Sequence, residues 1–557
     1  MSTQCRQWIE ACHRSGRANI RQTHLPPATS HAGPLITQLQ RTPAAFAHAV
    51  PGIECIETHI SWVLLAGEHV YKFKKPLALD FLDYSTLALR RAACEEELRI
   101  NRRTAPGIYL GVVAVTGTLQ APRIVPVDAL PVDTPVLEWA VHMRRFAQDG
   151  LLSHLAAQGA LLPAHIDQLA QHIAAFHAGA AVADASSPWG QPEAMREAVA
   201  HNFADVLAVV AGTPLQGTLQ TVQAWSLAQG AALAPLMQQR RTQGWVRECH
   251  GDLHLNNLVL IDGVPELFDA IEFNPAFRWT DVLADLAFVL MDLQAHGRAD
   301  YAWRLLNAYL EHSGDYFALQ LLPYYQCYRA MVRAKVAALR CAQLQGQAGV
   351  QAAAQQEVVR YLQLAADLIK PRSLALWLAT GVSGSGKSSQ TQSLIEWQGI
   401  VRAKADVERK RLFGLPALAR SADHVPGGIY TAEAGQRTYA HLAELARAIL
   451  HAGLPVLVDA TCLKVAQRQP FMALARELGL PCRILALDAP VDVLRQRVLQ
   501  RASKGGDPSE ADVAVLEGQL KAREPLTQEE RACAVQVDTS RPVDWAVVLP
   551  FDWICAN

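Results

Sequence analysis

The sequence predicts an α+β domain followed by an α/β domain with a parallel sheet, and three observations carry this reading. Residues 62–65 and 69–74 are β-rich runs separated by Ala66-Gly67-Glu68, a hairpin signal, and from about residue 150 onward Ala and Leu recur at helical spacing. Inside that helical stretch, residues 246–249 and 258–261 read as short strands flanking His250-Gly251-Asp252-Leu253-His254-Leu255-Asn256-Asn257. At Lys370-Pro371-Arg372 the pattern changes, and residues 374–379 form an apolar strand that runs into Gly381-Val382-Ser383-Gly384-Ser385-Gly386-Lys387-Ser388 and then a helix. The boundaries that follow are a polar tail over 1–34, the α+β domain over 35–370 and the α/β domain over 371–557.

Composition narrows the function classes. Of 557 residues, 51 are Lys or Arg and 52 are Asp or Glu, so no global field draws the chain to nucleic acid or to an anionic membrane. The most apolar run, residues 282–293, is interrupted by Asp285 and Asp292, too short and too charged to span a bilayer. The 11 cysteines are odd in number, scattered and without a CxxC pair, as expected of reduced thiols in a cytoplasmic protein. The tail is rich in Arg, Gln and His, ends in Pro26-Pro27, lacks the apolar region of a signal peptide and is expected to be disordered.

Phosphoryl transfer to a hydroxyl requires a carboxylate to orient the acceptor, oxygen ligands for Mg²⁺ and cations on the ATP phosphates. Asp252 supplies the first, and Asn257, five residues later, with Asp269 after a short strand, the second. In this loop the chain resembles the aminoglycoside phosphotransferase and choline kinase branch of the protein-kinase-like superfamily, whose motif reads HGDxxxxN; the resemblance covers about 40 to 365. It implies a protein-kinase-like α+β fold and a phosphate-binding lysine on the 70–74 strand. Lys72 fits the small-apolar-x-Lys pattern, although Lys74 points to the same face. The resemblance also implies a glutamate partner among Glu95, Glu96 and Glu97, with Glu97 preferred, and assigns Asp285 to bracing the catalytic loop. Two departures are a missing Gly-x-Gly-x-x-Gly loop and His254-Leu255-Asn256 where relatives often carry His-Pro-Gly. His254 is expected to be structural or solvated rather than a ligand.

The second motif is a complete Walker A loop, in which glycines free backbone N–H groups to turn inward on phosphates and the helix amino terminus adds partial positive charge. Gly381, Ser383, Gly384, Ser385, Gly386, Lys387, Ser388 and Ser389 are the expected nucleotide-binding residues, with Ser388 a ligand of Mg²⁺. Asp406-Val407-Glu408-Arg409 falls where an acceptor-binding turn is expected. The apolar strand over 454–458 ends in Asp459, a second metal-side carboxylate. Arg468 is placed to hold an acceptor or its phosphate. Arg497 and Arg501 share a helix face before a flexible loop over 503–507, as in a lid that closes on the transferring group. Thr431 reads as a helix cap rather than as chemistry. Residues 372–545 resemble the P-loop kinases related to polynucleotide 5′-kinases, gluconate kinases and zeta-toxin kinases, a likeness that implies Asp406 as probable base with Arg409 beside it.

Together the fusion resembles bacterial proteins described as aminoglycoside phosphotransferase-like domains joined to AAA-type ATP-binding domains. The expected function is a bifunctional phosphotransferase using ATP and Mg²⁺ at both sites on a small-molecule acceptor, with Asp252, Asp406, Arg409, Arg497 and Arg501 in the chemistry. Competing readings are a P-loop switch regulated by the front domain, a front domain that has lost turnover, and a nucleic-acid 5′-hydroxyl kinase, which the balanced charge disfavours.

Overall fold

The computed structural model describes residues 32–79, 82–343, 348–419, 429–504 and 508–554. Most of the expected tail, residues 1–31, lies outside the described residues, and helix α1 (Ala32–Arg41) begins within it because Ala32, Leu35, Ile36 and Leu39 form a buried stripe at helical spacing. The chain divides into two compact units. One holds Tyr109–Arg145 with the described residues up to Leu98, and the other holds Arg99–Ile108 with the described residues from Phe146 onward. Residues 371–554 therefore belong to the same unit as 146–370.

In the first unit, strands β1 (Ile53–Glu57), β2 (Ser61–Ala66), β3 (His69–Lys74), β4 (Tyr109–Gly117), β5 (Pro122–Pro126) and β6 (Val136–Arg144) form an antiparallel sheet of order β1-β2-β3-β6-β4-β5. The expected hairpin is β2–β3, closed by Gly67 at φ 62°. Leu64, Ala66, Tyr71 and Phe73 from the hairpin are buried in one cluster with Val113, Val115 and Ala140. Helix α2 (Leu87–Asn101) then begins.

The second unit opens with helices α3 (Pro163–Gly179) and α4 (Leu215–Thr242). Short strands β7 (Val246–Glu248), β8 (Leu258–Ile261), β9 (Val264–Leu267) and β10 (Trp279–Asp281) follow, paired β8–β9 and β7–β10. Helices α5 (Val282–Ala295), α6 (Ala299–Ser313), α7 (Leu322–Gln343) and α8 (Ala348–Leu368) come next. Every residue of α5 from Val282 to Leu293 is buried, the signature of a core helix. Arg240 of α4 forms buried ion pairs with Asp281, which caps α5, at 2.6 Å and with Asp315 at 2.7 Å, so one guanidinium joins three segments.

The α/β part is built from β11 (Leu376–Thr380), α9 (Lys387–Gln398), β12 (Val401–Lys404), α10 (Ala405–Leu412), α11 (Ala432–His451), β13 (Val456–Asp459), α12 (Val465–Glu477), β14 (Cys482–Asp488), α13 (Val491–Lys504), α14 (Val513–Ala522) and β15 (Ala534–Asp538). Its sheet has the order β12-β13-β11-β14-β15 with every neighbouring pair parallel, the doubly wound arrangement expected of a P-loop domain. Thr431 caps α11, its hydroxyl accepting from Ala434 N at 3.2 Å. Among the described residues the cysteines are free and no helix is long and apolar enough to cross a membrane.

One apolar core runs through this unit: Leu286 and Leu290 of α5, Leu305 and Leu310 of α6, and Leu378, Val401 and Val456 of the parallel sheet belong to a single buried cluster. The seam between α6 and edge strand β12 also carries specific polar bonds. Asn307, buried on α6, donates from Nδ2 to Ile400 O at 3.0 Å and accepts from Arg402 N at 2.6 Å, which gives the strand the backbone partners its open edge lacks. Asn307→Ala strands that N–H and C=O, each worth about 1–3 kcal/mol when left unsatisfied, so the urea midpoint is expected to fall by the equivalent of about 2–6 kcal/mol.

Candidate functional site

The first unit holds the lysines of the front motif. Lys72 Nζ lies 2.9 Å from Glu97 Oε1, and the fully buried Lys74 ammonium pairs with the other oxygen of the same carboxylate. The strand periodicity that left Lys72 and Lys74 on one face places both at Glu97. Lys72, at 14% side-chain exposure, is the more open of the two. Glu95 instead pairs with Arg91 on the exposed face of α2.

In the second unit the catalytic-type loop is fixed from behind. Asp285 of α5 accepts from His250 N at 3.1 Å and Gly251 N at 2.8 Å, the bracing role its resemblance implied, and its Oδ2 also meets His177 Nε2 at 3.2 Å. Gly251 sits at φ 86° with Phe277 O 2.8 Å from where a Cβ would stand, so no other residue fits this turn. Burial pushes the His250 pKa down, against the pull of Asp285 and Asp252; Nδ1 accepts from Asp252 N at 3.3 Å, and Nε2 lies 2.9 Å from Phe268 O.

Asn257 Nδ2 donates to Asp252 O at 2.9 Å and Oδ2 at 3.1 Å, which directs the amide oxygen away from Asp252. Asp269 has a left-handed backbone, φ 60°, and its neighbours are tied into the same loop: Phe268 N donates to Asn257 O at 3.0 Å and Ala270 N to Asn101 Oδ1 at 2.8 Å. Asp252 and Asn257 are thus bonded to each other, and Asp269 follows Phe268, whose N–H closes on the same loop. His254 is buried, as a structural residue would be, and its Nε2 lies 3.3 Å from Asp252 Oδ2. Burial pushes the Asp252 carboxyl up, but His254, Arg333 and His250 outweigh it and hold the group below the ordinary carboxylate range. Arg333, on α7, carries no sequence signal of this role.

The rear motif lines a cavity of about 930 Å³. Ser383, Gly384, Gly386, Lys387, Ser388 and Ser389 of the loop open onto it, facing Asp406 and Arg409 of α10, Asp459 at the end of β13, and Arg497 and Arg501 of α13. Gly381 requires glycine: its φ is 153° and a Cβ there would stand 2.4 Å from Leu487 O. Ser388 Oγ donates to Asp459 Oδ2 at 2.6 Å. Lys387 Nζ is turned back onto Gly381 O at 2.8 Å and Val382 O at 3.0 Å. Burial lowers its pKa, against the opposing pull of Asp459 and Asp406.

Several expected residues take different places. Gly381 and Ser385 do not line the cavity; Ser385 is fully buried and its hydroxyl has no partner among the described residues. Arg468 is not an acceptor-binding residue. It is 1% exposed and bonded to Glu530 Oε1 at 2.7 Å, to Cys462 O and to Pro525 O, so its charge and donors are consumed inside the fold. Arg497 reaches the cavity wall yet donates to Gly384 O at 3.2 Å and to Thr539 Oγ1 at 3.0 Å, which makes it a brace of the loop in this conformation. Arg501 donates to Ala511 O at 2.8 Å. Of the expected flexible loop, Ser503 and Lys504 end α13, and 505–507 lie outside the described residues.

Among the wall residues that sequence reasoning missed, three make specific contacts. Gln519 Oε1 accepts from Ser383 N at 2.7 Å, Tyr430 lies under the Arg409 guanidinium at 4.8 Å, and the Tyr439 hydroxyl accepts from Cys462 N at 3.1 Å. Only Tyr439 had a usable signal, its place on the helix that Thr431 starts.

Comparison with known proteins gives the following likenesses. Residues 376–526 match a family described as AAA domain. An uncharacterized protein of Mycobacterium tuberculosis (strain H37Rv), Rv2004c, is 29% identical over 477 residues, 84% of this chain and 91% of that protein. An uncharacterized protein of Mycobacterium bovis matches to the same extent, 29% over 477 residues. Among solved structures, a gluconokinase from Sinorhizobium meliloti 1021 is similar at 23% identity, 32% of this chain, 88% of that chain and a TM-score of 0.23. The amicoumacin kinase hAmiN, in complex with AMP-PNP, Ca²⁺ and Ami, is similar at 14% identity, 60% of this chain, 93% of that chain and a TM-score of 0.38. A choline/ethanolamine kinase family protein from Mesorhizobium loti is 14% identical over 60% of this chain and 99% of that chain, with a TM-score of 0.33.

The Asp285 brace has a pH signature. Burial raises its pKa, but His177, His250 and Arg329 outweigh burial and set it at about 2, below the ordinary value of about 3.9. A depressed carboxylate contributes stability that is complete above about pH 4 and is lost as pH falls toward 2. The stability gap between wild type and Asp285→Asn is therefore expected to shrink by roughly 2–3 kcal/mol over that window, measured by urea unfolding at stepped pH. A gap that stays constant contradicts the assignment.

Proposed function

We propose that the chain is an ATP-dependent phosphotransferase with two MgATP sites, each transferring the γ-phosphoryl group to a hydroxyl of a small molecule. The observation that carries this reading is the rear cavity, where nucleotide-type and acceptor-type groups share one wall system: Lys387 with the Ser388–Asp459 pair, and Asp406 with Arg409. A pure nucleotide switch needs the first set alone. The volume lies near the upper end for small-molecule sites, as suits a nucleotide and a second substrate.

Ser388 and Asp459 offer only oxygen donors, which fits a hard cation such as Mg²⁺. A cation held there would supply neutralisation of phosphate charge. Lys387 exchanges the Gly381 and Val382 carbonyls for terminal phosphate oxygens. Asp406 orients the acceptor hydroxyl and takes its proton, Arg409 positions the acceptor, and Arg501 with Arg497 balances charge on the group in flight. In the front segment Asp252 orients the hydroxyl, Asn257 and Asp269 supply oxygen ligands, and Lys72 is the phosphate-binding lysine. The acceptor is proposed to be a small metabolite, and the compartment the cytoplasm.

Transfer of labelled γ-phosphate from ATP into a deproteinised metabolite extract tests the proposal. Asp252→Ala is expected to remove one labelled product and Lys387→Ala another. Asp406→Ala is expected to lower rear-site transfer by about 10²–10⁴-fold while Mg-nucleotide affinity stays within about threefold. Release of phosphate alone, dependent on Lys387 and indifferent to Asp406, would move the P-loop switch ahead. Salt-sensitive labelling of oligonucleotides would favour a 5′-hydroxyl kinase instead.

A further inference from the structure

The carboxyl end of α6 reaches the metal side of the P-loop through one buried arginine. Glu311 accepts from Arg402 Nη2 at 2.7 Å and Nε at 3.2 Å, and Lys404 Nζ lies 3.8 Å from its other oxygen. The remaining arm of Arg402 donates from Nη1 to Ser388 O at 3.1 Å. Ser388 is the residue whose hydroxyl meets Asp459, and the Asp459 carboxylate is among the groups that raise the Arg402 pKa. Arg402 is 7% exposed, so water screens it little.

This geometry poses an electrostatic problem. A buried guanidinium that braces the Ser388 main chain stands close to where a divalent cation would sit, and like charges in a poorly screened site repel. Glu311 removes the conflict by pairing with Arg402. Its own carboxyl is pushed up by burial, but Arg402 and Lys404 outweigh that and keep it ionised. The neutralising charge comes from the segment that precedes the P-loop domain, at a sequence distance of 91 residues from the arginine it balances.

We propose that Glu311 is a charge-balancing and positioning residue of the P-loop site: it cancels Arg402 so that Arg402 holds Ser388 without opposing the cation beside Asp459. The P-loop segment alone is then electrostatically incomplete, and α6 belongs to its site. The inference rests on the reading that Lys387, Ser388 and Asp459 take a nucleotide with a divalent cation.

The test measures binding of a ribose-labelled fluorescent ATP analogue to the full-length chain while MgCl₂ is titrated. Glu311→Gln is expected to raise the Mg²⁺ needed for half-maximal binding about tenfold and to change Mg²⁺-free binding less than twofold. Adding Arg402→Met removes the unbalanced cation and is expected to bring the requirement back to within about threefold of wild type, a rescue that loss of packing would not produce. The control is Arg304→Ala, which breaks the 2.8 Å pair between α6 and Glu396 of α9 without touching Ser388 and should leave the Mg²⁺ requirement unchanged.

An unchanged requirement in folded Glu311→Gln overturns the inference, as does an equal rise in Arg304→Ala. Where Glu311→Gln fails to fold, the double variant decides: a requirement near wild type supports charge balance, and a tenfold rise overturns it. A wild-type chain that binds no Mg-nucleotide, or binds it equally well as Lys387→Ala, overturns the P-loop reading itself. Lys387-dependent binding that ignores Glu311 overturns this inference alone.

Discussion

A parallel sheet cannot leave its edge backbone and both faces bare, and β12 pairs with a neighbouring strand on one side only. The side chains of α6 and the segment after it close the other side. Asn307 takes the strand's N–H and C=O, Glu311 takes the Arg402 guanidinium, and the Tyr316 hydroxyl donates to Arg402 O at 3.3 Å. Arg411 of α10 returns the contact, donating to Glu311 O at 2.7 Å near the carboxyl end of α6. These bonds tie the parallel sheet to the helices that precede it within one compact unit, although composition shifts at 370.

The same economy of buried charge organises the front loop. α5 is apolar on every face, yet it carries Asp285 and Asp292, and neither is left unpaired: Asp285 holds the His250 and Gly251 amides, and Asp292 takes Leu255 N at 2.9 Å and the Tyr361 hydroxyl at 3.0 Å. The loop therefore donates hydrogen bonds from both ends to carboxylates of one core helix. Ionised carboxylates are costly to bury, so each must meet several donors at once, and that requirement fixes the backbone between them.

What the sequence made legible was local. The strand–glycine–lysine–helix order, the HGD loop with its asparagine, the lysine strand and the Thr431 cap each encode backbone geometry within a few residues, and all appear in the fold where expected. Partner choice across the chain was not legible. Arg468 looked available because its buried acid, Glu530, lies far along the sequence. Lys72 and Lys74 could not be separated because both meet Glu97, a coincidence that strand period permits but does not require. Arg497 and Arg501, about one turn apart on α13, turn to the cavity, whereas Arg495, on the other side of that helix, pairs with Glu517 at the surface. Ser385 matched the loop motif, but close packing around Gly381 turns its hydroxyl into the interior.

The lysine of the glycine loop has a consequence for the heat of binding. With its ammonium already bonded to the Gly381 and Val382 carbonyls, Lys387 has partners inside the loop before a nucleotide arrives. Binding then trades bonds instead of adding them, so its enthalpy is smaller than a count of new contacts suggests. The loop need not be assembled by its ligand. On the proposed reading, nucleotide entry displaces those two carbonyls from the lysine.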